Sequence, residues 1–151
     1  MSRRCVYVGD ASNLRRRIRQ HQRGNVEASA LRKHVAKALG YSLARTRRAS
    51  GGTRVRIDAP DPKAAEARVS AYLASGTWRW VACASKEEAR ALQWHAIALL
   101  DPLLNRDRRE PALSAALDAK AAQLAAATPS GESVEGPGVY ALFHMQPPGA
   151  E

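Results

Sequence analysis

The sequence predicts an α+β domain in which a small, mainly antiparallel three-stranded sheet is flanked by helices. Three strand-like runs support this fold class. Residues 4–9 combine apolar, β-branched and aromatic side chains and end at a glycine, after which a polar turn leads into an arginine-rich segment. Similar runs occur at 78–84 and 136–144, and segments with helical periodicity separate them along the chain.

Helices are expected between and after these strands. The first covers 12–23, and either Asp10 or Ser12 could cap it by accepting hydrogen bonds from free backbone N–H groups. A second helix is predicted at 86–101, where a serine and a glutamate three residues later form a capping-box pattern. The alanine-rich stretch 112–135 is predicted to be a helix followed by a linker.

The middle of the chain, 25–77, is predicted to be a basic insert. It contains an amphipathic helix at 30–39 whose basic residues form the outer face. Residues 41–53 are interpreted as a mobile basic loop or an irregular hairpin, which either grips DNA or is a plain surface loop. An Asp-Pro pair then opens a helix that ends near residue 74.

Length and composition limit the possible classes of protein. At 151 residues the chain suits one domain, covering 1–151. No run approaches the ~20 apolar residues needed to cross a bilayer, and no apolar segment near the start suits a signal peptide. Cys5 and Cys83 lack the spacing of a zinc site and are expected to be free thiols, which favours a reducing, cytoplasmic location.

The charge of the chain is concentrated in its first part. Residues 1–56 carry 15 lysines and arginines against 2 acidic residues, whereas 57–151 carry 9 against 12. Such concentration favours a basic surface that faces a polyanion, and nucleic acid is the expected partner. A solvated helix face in an arginine-rich proteome is the alternative explanation.

The first strand and helix carry side chains that suit a phosphodiester. Arg17 and His21 lie four residues apart and therefore share one helix face. Arginine offers forked donors to phosphate oxygens, and tyrosine and histidine can transfer protons. Tyr7, near the end of the preceding strand, could thus act together with this pair.

These residues resemble the second half of the signature of the GIY-YIG nucleases. The matching positions are Tyr7, Val8, Gly9, Asn13, Leu14, Arg17 and His21. The first half of that signature, Gly-Val-Tyr on a strand, normally precedes the second, but here it stands near the other end, at 138–140. The resemblance therefore implies a circularly permuted domain, in which 136–144 and 4–9 are antiparallel neighbours and the termini lie in the hairpin loop. A fragment cut across tandem domains is the alternative.

The resemblance also implies a mechanism, in which water hydrolyses a phosphodiester with the help of one divalent ion, Mg²⁺ or Mn²⁺. Tyr7 or Tyr140 would orient and deprotonate the water, with possible assistance from His21. Arg17 would neutralise charge on the phosphate. Asn105 would fix local geometry or contact phosphate.

One position departs from the family pattern. The family carries a metal-binding glutamate on the helix after the third strand, followed at fixed spacing by a proline and an asparagine, which here are Pro102 and Asn105. Gln93 stands at the glutamate position. Mg²⁺ prefers charged carboxylate oxygens, whereas glutamine offers a neutral carbonyl and two donors. Glu87 and Glu88 point elsewhere on the helix, so the resemblance implies an endonuclease that is inactive or crippled.

Duplex DNA is the expected substrate, and exposed arginines are the expected contacts. The candidates for nucleic-acid binding are Arg15, Arg16, Arg19, Arg45, Arg47 and Arg48. Two alternatives remain open: a non-catalytic DNA- or RNA-binding module on the same scaffold, and a basic RNA- or ribosome-associated protein with accidental motif matches.

Overall fold

The computed structural model describes residues 3–126 and 134–149. The part of the predicted linker at 127–133 lies outside the described residues. The elements are, in chain order, β1 Arg4–Ala11, α1 Leu14–Arg23, α2 Ala30–Ala38, β2 Ser42–Arg47, β3 Thr53–Asp58, α3 Pro62–Ser75, β4 Thr77–Ala82, α4 Lys86–Leu100, α5 Ala115–Ala125 and β5 Gly138–His144. The predicted α+β class with a small antiparallel three-stranded sheet is confirmed.

The chain divides into two compact units. The first comprises residues 1–18 and 76–146, and the second comprises 19–75 and 147–151. The three-stranded sheet belongs to the first unit, and the β2–β3 hairpin belongs to the second.

In the first unit, β5 is the central strand and pairs antiparallel with β1 on one side and β4 on the other. Gly9 and Trp80 lie directly opposite Tyr140 on these two strands. The predicted antiparallel pairing of the Gly-Val-Tyr and Tyr-Val-Gly segments is therefore confirmed. The two segments meet as neighbours although more than a hundred residues separate them along the chain.

The two faces of this sheet are covered by different helices. One face packs against α4 and α5, with a core that includes Val8, Val139, Leu92 and Leu124. The other face packs against α1 through Leu14, Ile18 and Tyr140. Side chains alternate along a strand, so the odd and even positions of β5 divide between the two cores.

A β-bulge between Cys5 and Tyr7 changes this alternation in β1. Cys5 lies opposite Phe143, whereas Tyr7 lies opposite Leu142. Residues two apart on a regular strand would share a face, but the bulge sends Cys5 to the α4–α5 side and Tyr7 to the α1 side. The bulge thus redirects Cys5, whereas Tyr7 shares a face with Tyr140 because the pairing is regular from Tyr7 to Gly9, which lies opposite Tyr140.

The start of α1 is bound to the segment that leads into β5. The Leu14 and Arg15 N–H groups donate to the carbonyls of Gly136 and Val134, at 2.9 and 2.8 Å. The side chain of Asn13 accepts from the Arg16 N–H at 3.0 Å. The prediction that Asp10 or Ser12 caps this helix is therefore wrong, because Asn13 and the two carbonyls supply the acceptors.

The second unit is organised around a buried arginine. Arg32 is 0% exposed and donates to the carbonyl of His21 and to both the carbonyl and the carboxylate of Glu66, at 2.9–3.0 Å. The sequence-based assignment of the basic residues of this helix to an outer face is wrong at this position. Burial of the guanidinium is possible because carbonyl and carboxylate oxygens accept hydrogen bonds from its two terminal nitrogens.

No helix within residues 3–126 and 134–149 is long and apolar enough to cross a membrane. Cys5 and Cys83 are free thiols, as predicted. Burial raises the pKa of the Cys5 thiol to about 12, so this thiol is protonated and unreactive at neutral pH.

The glycine at residue 9 is required by the ring that lies across it. A Cβ at this position would overlap the phenol of Tyr140, which is itself buried. We therefore expect Gly9→Ala to lower the free energy of unfolding by about 1–3 kcal/mol, the usual cost of overpacking, as measured by urea unfolding followed by tryptophan fluorescence. Ser12→Ala is the matched control, since Ser12 is exposed and should change stability by less than about 0.5 kcal/mol. A Gly9→Ala protein as stable as the parent would contradict this packing.

Candidate functional site

Two tyrosines from neighbouring strands form the centre of the candidate site. The rings of Tyr7 and Tyr140 have centroids 6.3 Å apart and planes inclined at 34°. Trp78 on β4 lies on the other side, with its ring centroid 6.1 Å from that of Tyr140. Tyr140 is 1% exposed, whereas Tyr7 on the edge strand is only partly buried. Tyr7 is therefore the more exposed of the two tyrosines.

Arg17 completes this cluster, and its charge acts on both phenols. Burial raises the pKa of Tyr140 well above its ordinary value, the neighbouring Tyr7 raises it further, and the charge and hydrogen bond of Arg17 oppose the rise. Burial also raises the pKa of Tyr7, which Arg17 lowers and Asp10 raises. Both phenols are consequently protonated near neutral pH and can donate hydrogen bonds.

Asn105 is bound to the exposed edge of β1. Its Oδ1 accepts from the Val8 N–H at 2.8 Å, and its Nδ2 donates to the Val8 carbonyl at 2.9 Å. The Leu104 N–H extends this contact by donating to the Val6 carbonyl at 2.9 Å. An edge strand has backbone groups without sheet partners, and Asn105 satisfies two of them. Of the two roles expected for Asn105, the observed contacts match the fixing of local geometry.

Gln93 lies half-buried on α4, and its amide carries no charge. Arg90, three residues earlier, is its neighbour on the same helix face and lines a groove of about 390 Å³ with Lys86, Glu87, Ala91 and Trp94. Glu88 is occupied, since the hydrogen bond from Lys120 holds the pKa of its carboxyl below the usual value. Among residues 3–126 and 134–149, no cluster of three or more His, Cys, Asp or Glu side chains could hold a metal ion.

His21 belongs to the second unit, where its side chain is 0% exposed. Its Nδ1 lies 2.5 Å from the Ser29 hydroxyl, and its carbonyl accepts from Arg32. The observed contacts of His21 are thus those of a buried hydrogen-bond network. Tyr7, Tyr140 and Arg17 are the predicted catalytic residues that the first unit brings into one cluster.

The arginines predicted to bind nucleic acid differ in their surroundings. Arg16, Arg19, Arg45 and Arg47 are exposed. Arg15 pairs with Glu135 at 2.5 Å, and Arg48 pairs with Glu27.

Sequence reasoning missed two contributors to the cluster. Asp10 was considered only as a helix cap, but its charge acts on both phenols. Trp78 was considered only as part of a strand, but its ring packs against Tyr140. Neither role is visible in the sequence alone, because each depends on the register of the three strands.

The comparisons with known proteins agree with the motif. A family model described as the GIY-YIG catalytic domain matches residues 1–125. The matched range contains Tyr7, Arg17, Gln93 and Asn105 but ends before β5. Searches of curated proteins and of solved structures found no match.

The raised pKa values of the two phenols make stability depend on pH in the alkaline range. Above about pH 10, tyrosines of the unfolded chain lose their protons, while Tyr7 and Tyr140 keep theirs in the folded protein. The unfolded state then binds fewer protons, so the free energy of unfolding falls as pH rises. Tyr140→Phe removes one such group, so its stability should depend less on pH than that of the parent. In urea unfolding, the difference in the free energy of unfolding between parent and variant should therefore be smaller at pH 10.5 than at pH 8.

Phe143→Leu is the control for this comparison. This substitution weakens the core on the same strand but removes no titrating group. The difference in the free energy of unfolding between it and the parent should therefore be the same at pH 8 and pH 10.5. If the difference between the parent and Tyr140→Phe is also the same at both pH values, the burial of an ionisable phenol at this position is contradicted.

Proposed function

Since this chain belongs to the GIY-YIG catalytic-domain family, whose match indicates nuclease activity on nucleic acid, we propose that it is a DNA endonuclease domain whose hydrolytic activity is impaired by Gln93. The observation that carries the proposal is the cluster of Tyr7, Tyr140 and Arg17 on one face of the sheet. The Arg17 guanidinium beside the hydroxyl of Tyr7 is a suitable receptor for a phosphodiester.

The different burial of the two phenols supports a division of roles. Tyr7 is only partly buried and would contact the phosphodiester or the attacking water. Tyr140 is buried beneath it and would act as a positioning residue by fixing the hydroxyl of Tyr7. Arg17 would bind the phosphate and stabilise the charge that develops there. Because both pKa values are raised, a phenol serves as a donor at neutral pH, and its use as a base would require alkaline conditions.

GIY-YIG nucleases generally use a divalent metal ion, and the residues of this chain do not fit one. The amide of Gln93 supplies no negative charge, and Arg90 on the same helix face adds a positive one. Mg²⁺ is bound in proteins mainly through carboxylates. We therefore assign no step of the reaction to a metal in the chain as it stands.

The same mismatch supports a second candidate function, a non-catalytic nucleic-acid-binding module. Such a module would keep Arg17, the two phenols and the basic surface, and would bind phosphodiesters without cutting them. Both functions predict binding that weakens steeply with salt, because phosphate contacts release counterions. Cleavage distinguishes the two.

The order of the strands supports a circular permutation of the family domain. In this chain the Gly-Val-Tyr strand β5 follows the Tyr-Val-Gly strand β1 and pairs with it.

Free thiols at Cys5 and Cys83 support a reducing compartment such as the cytoplasm.

Restoring the carboxylate tests the enzymatic proposal. We expect Gln93→Glu to cleave duplex DNA in the presence of Mg²⁺ or Mn²⁺ at least about 100-fold faster than the parent, since one well-placed electrostatic contact changes rates by about 10²–10³. The measurement is the nicking and linearisation of plasmid DNA, with EDTA as a blank. Gln93→Asn, which is polar but uncharged, is the matched control and should remain as slow as the parent.

A second substitution tests whether the activity belongs to the candidate site. Adding Arg17→Ala or Tyr7→Phe to Gln93→Glu should abolish the increase in the rate of DNA cleavage. If Gln93→Glu binds duplex DNA but cuts no faster than Gln93→Asn with several divalent metals, the enzymatic assignment fails and the binding module is the better account.

A further inference from the structure

The β2–β3 hairpin is a ribbon whose outer half is exposed on both faces. Its strands pair antiparallel, with Arg45 opposite Val55, Thr46 opposite Arg54 and Arg47 opposite Thr53. Near its base Ile57 is buried, whereas residues 45–54 are exposed throughout. A two-stranded hairpin that buries little apolar surface gains little stability from packing, so these exposed pairs suit a binding role.

The ribbon is strongly positive, and one carboxylate divides its arginines into two sets. Residues 42–57 contain five arginines and no acidic residue. Glu27 pairs with Arg48 and, at 3.3 Å, with Arg56. For the remaining three, Arg45, Arg47 and Arg54, no carboxylate of the described part of the chain lies within ion-pair distance. These three carry the charge that a partner would meet.

The three remaining arginines point to both sides of the ribbon. Side chains alternate between the faces of a strand, and directly opposite residues share a face. Arg45 and Arg47 therefore project from one face, and Arg54, opposite Thr46, projects from the other. A ribbon lying flat on a polyanion would need cations on one face only. Cations on both faces suit a ribbon that stands between two rows of phosphates.

The tip of the ribbon is small enough to enter a groove. It consists of Ala49, Ser50, Gly51 and Gly52, and Gly51 has φ +97°, the left-handed conformation that favours glycine. The Arg48 N–H closes the turn by donating to the Gly52 carbonyl at 2.6 Å. No bulky side chain would prevent this tip from approaching base edges.

We propose that the outer half of this hairpin inserts tip first into the major groove of duplex DNA, with Arg45 and Arg47 on the phosphates of one wall and Arg54 on those of the other. The inference rests on the proposed function, that the domain acts on nucleic acid, and it specifies the form of that nucleic acid. The major groove of B-DNA, about 12 Å wide, admits a two-stranded ribbon. The major groove of an RNA duplex is too deep and narrow for such an insertion.

The test compares the parent with a hairpin variant in which Arg45, Arg47 and Arg54 are all alanine. Binding to a fluorescent 20-base-pair DNA duplex and to an RNA duplex of the same sequence is followed by anisotropy between 50 and 300 mM NaCl. The parent should prefer DNA. The hairpin variant should bind DNA more weakly, lose that preference, and show a slope of log affinity against log salt that is smaller in magnitude by about 3.

The control removes the same charge elsewhere in the second unit. Arg23, Lys37 and Lys63 are exposed and lie outside the hairpin. Their replacement by alanine should reduce the slope of log affinity against log salt much less than the hairpin variant does. A third probe is a duplex whose cytosines carry bulky 5-substituents, which fill the major groove and should weaken binding by the parent only.

The outcomes separate the two proposals. Three results would overturn the hairpin inference while leaving the proposed function in place. These are an equal loss of DNA affinity in the hairpin and control variants, equal affinity of the parent for DNA and RNA, and parent binding that the 5-substituents do not weaken. Failure of the parent to bind either duplex would overturn the proposed function itself.

Discussion

The arrangement of the first unit depends on β5 lying between β1 and β4. Within residues 3–126 and 134–149, β1 and β4 are hydrogen-bonded to β5 and to no other strand. The same strand places Val139, Ala141 and Phe143 in the core beneath α4 and α5, and Tyr140 in the core beneath α1. Without β5 the first unit would have no sheet, because β1 and β4 would each lose their strand partner.

This central strand also fixes the functional cluster. Tyr140 lies over Gly9 because the two residues are directly opposite, and Tyr7, two residues before Gly9 on β1, projects from the same face. The carbonyls of Val134 and Gly136 hold the first turn of α1, which carries Arg17. Asn105 holds β1 from its outer edge. The cluster is therefore positioned mainly by backbone contacts of strands and a helix. Sites built on such elements are placed more precisely than sites built on loops.

Part of this arrangement could be predicted from the sequence. The strand-like runs, the helices between them and the pairing of the two distant Tyr-bearing strands followed from local patterns and from the family signature. The bulge could not be predicted, because nothing in the run around Tyr7 distinguishes a bulged strand from a regular one. The burial of Arg32 was missed for a similar reason: a basic residue is assigned to a solvated face unless the acceptors that satisfy it are known, and Glu66 lies far along the chain.

The charges and hydroxyl groups of the candidate site differ from those around Gln93 on α4. Arg17 faces two protonated phenols, and the helix that should carry a metal-binding carboxylate presents Gln93 beside Arg90. Asp10 is the acidic group that acts on both phenols. Positive charge and hydroxyl donors suffice to hold a phosphodiester, but the negative charge that would hold a cation is lacking at Gln93.

Ring-to-ring cross-relaxation between Tyr7 and Tyr140 tests the central claim most directly. In protein labelled on tyrosine, with resonances assigned through the Tyr7→Phe and Tyr140→Phe variants, the centroid separation of 6.3 Å predicts cross-peaks between the two sets of ring protons. Cross-peaks between Tyr140 and the indole of Trp78 should accompany them. A well-dispersed spectrum of folded protein in which both tyrosines are assigned but share no cross-peak would show that β5 does not lie beside β1 and would contradict the account.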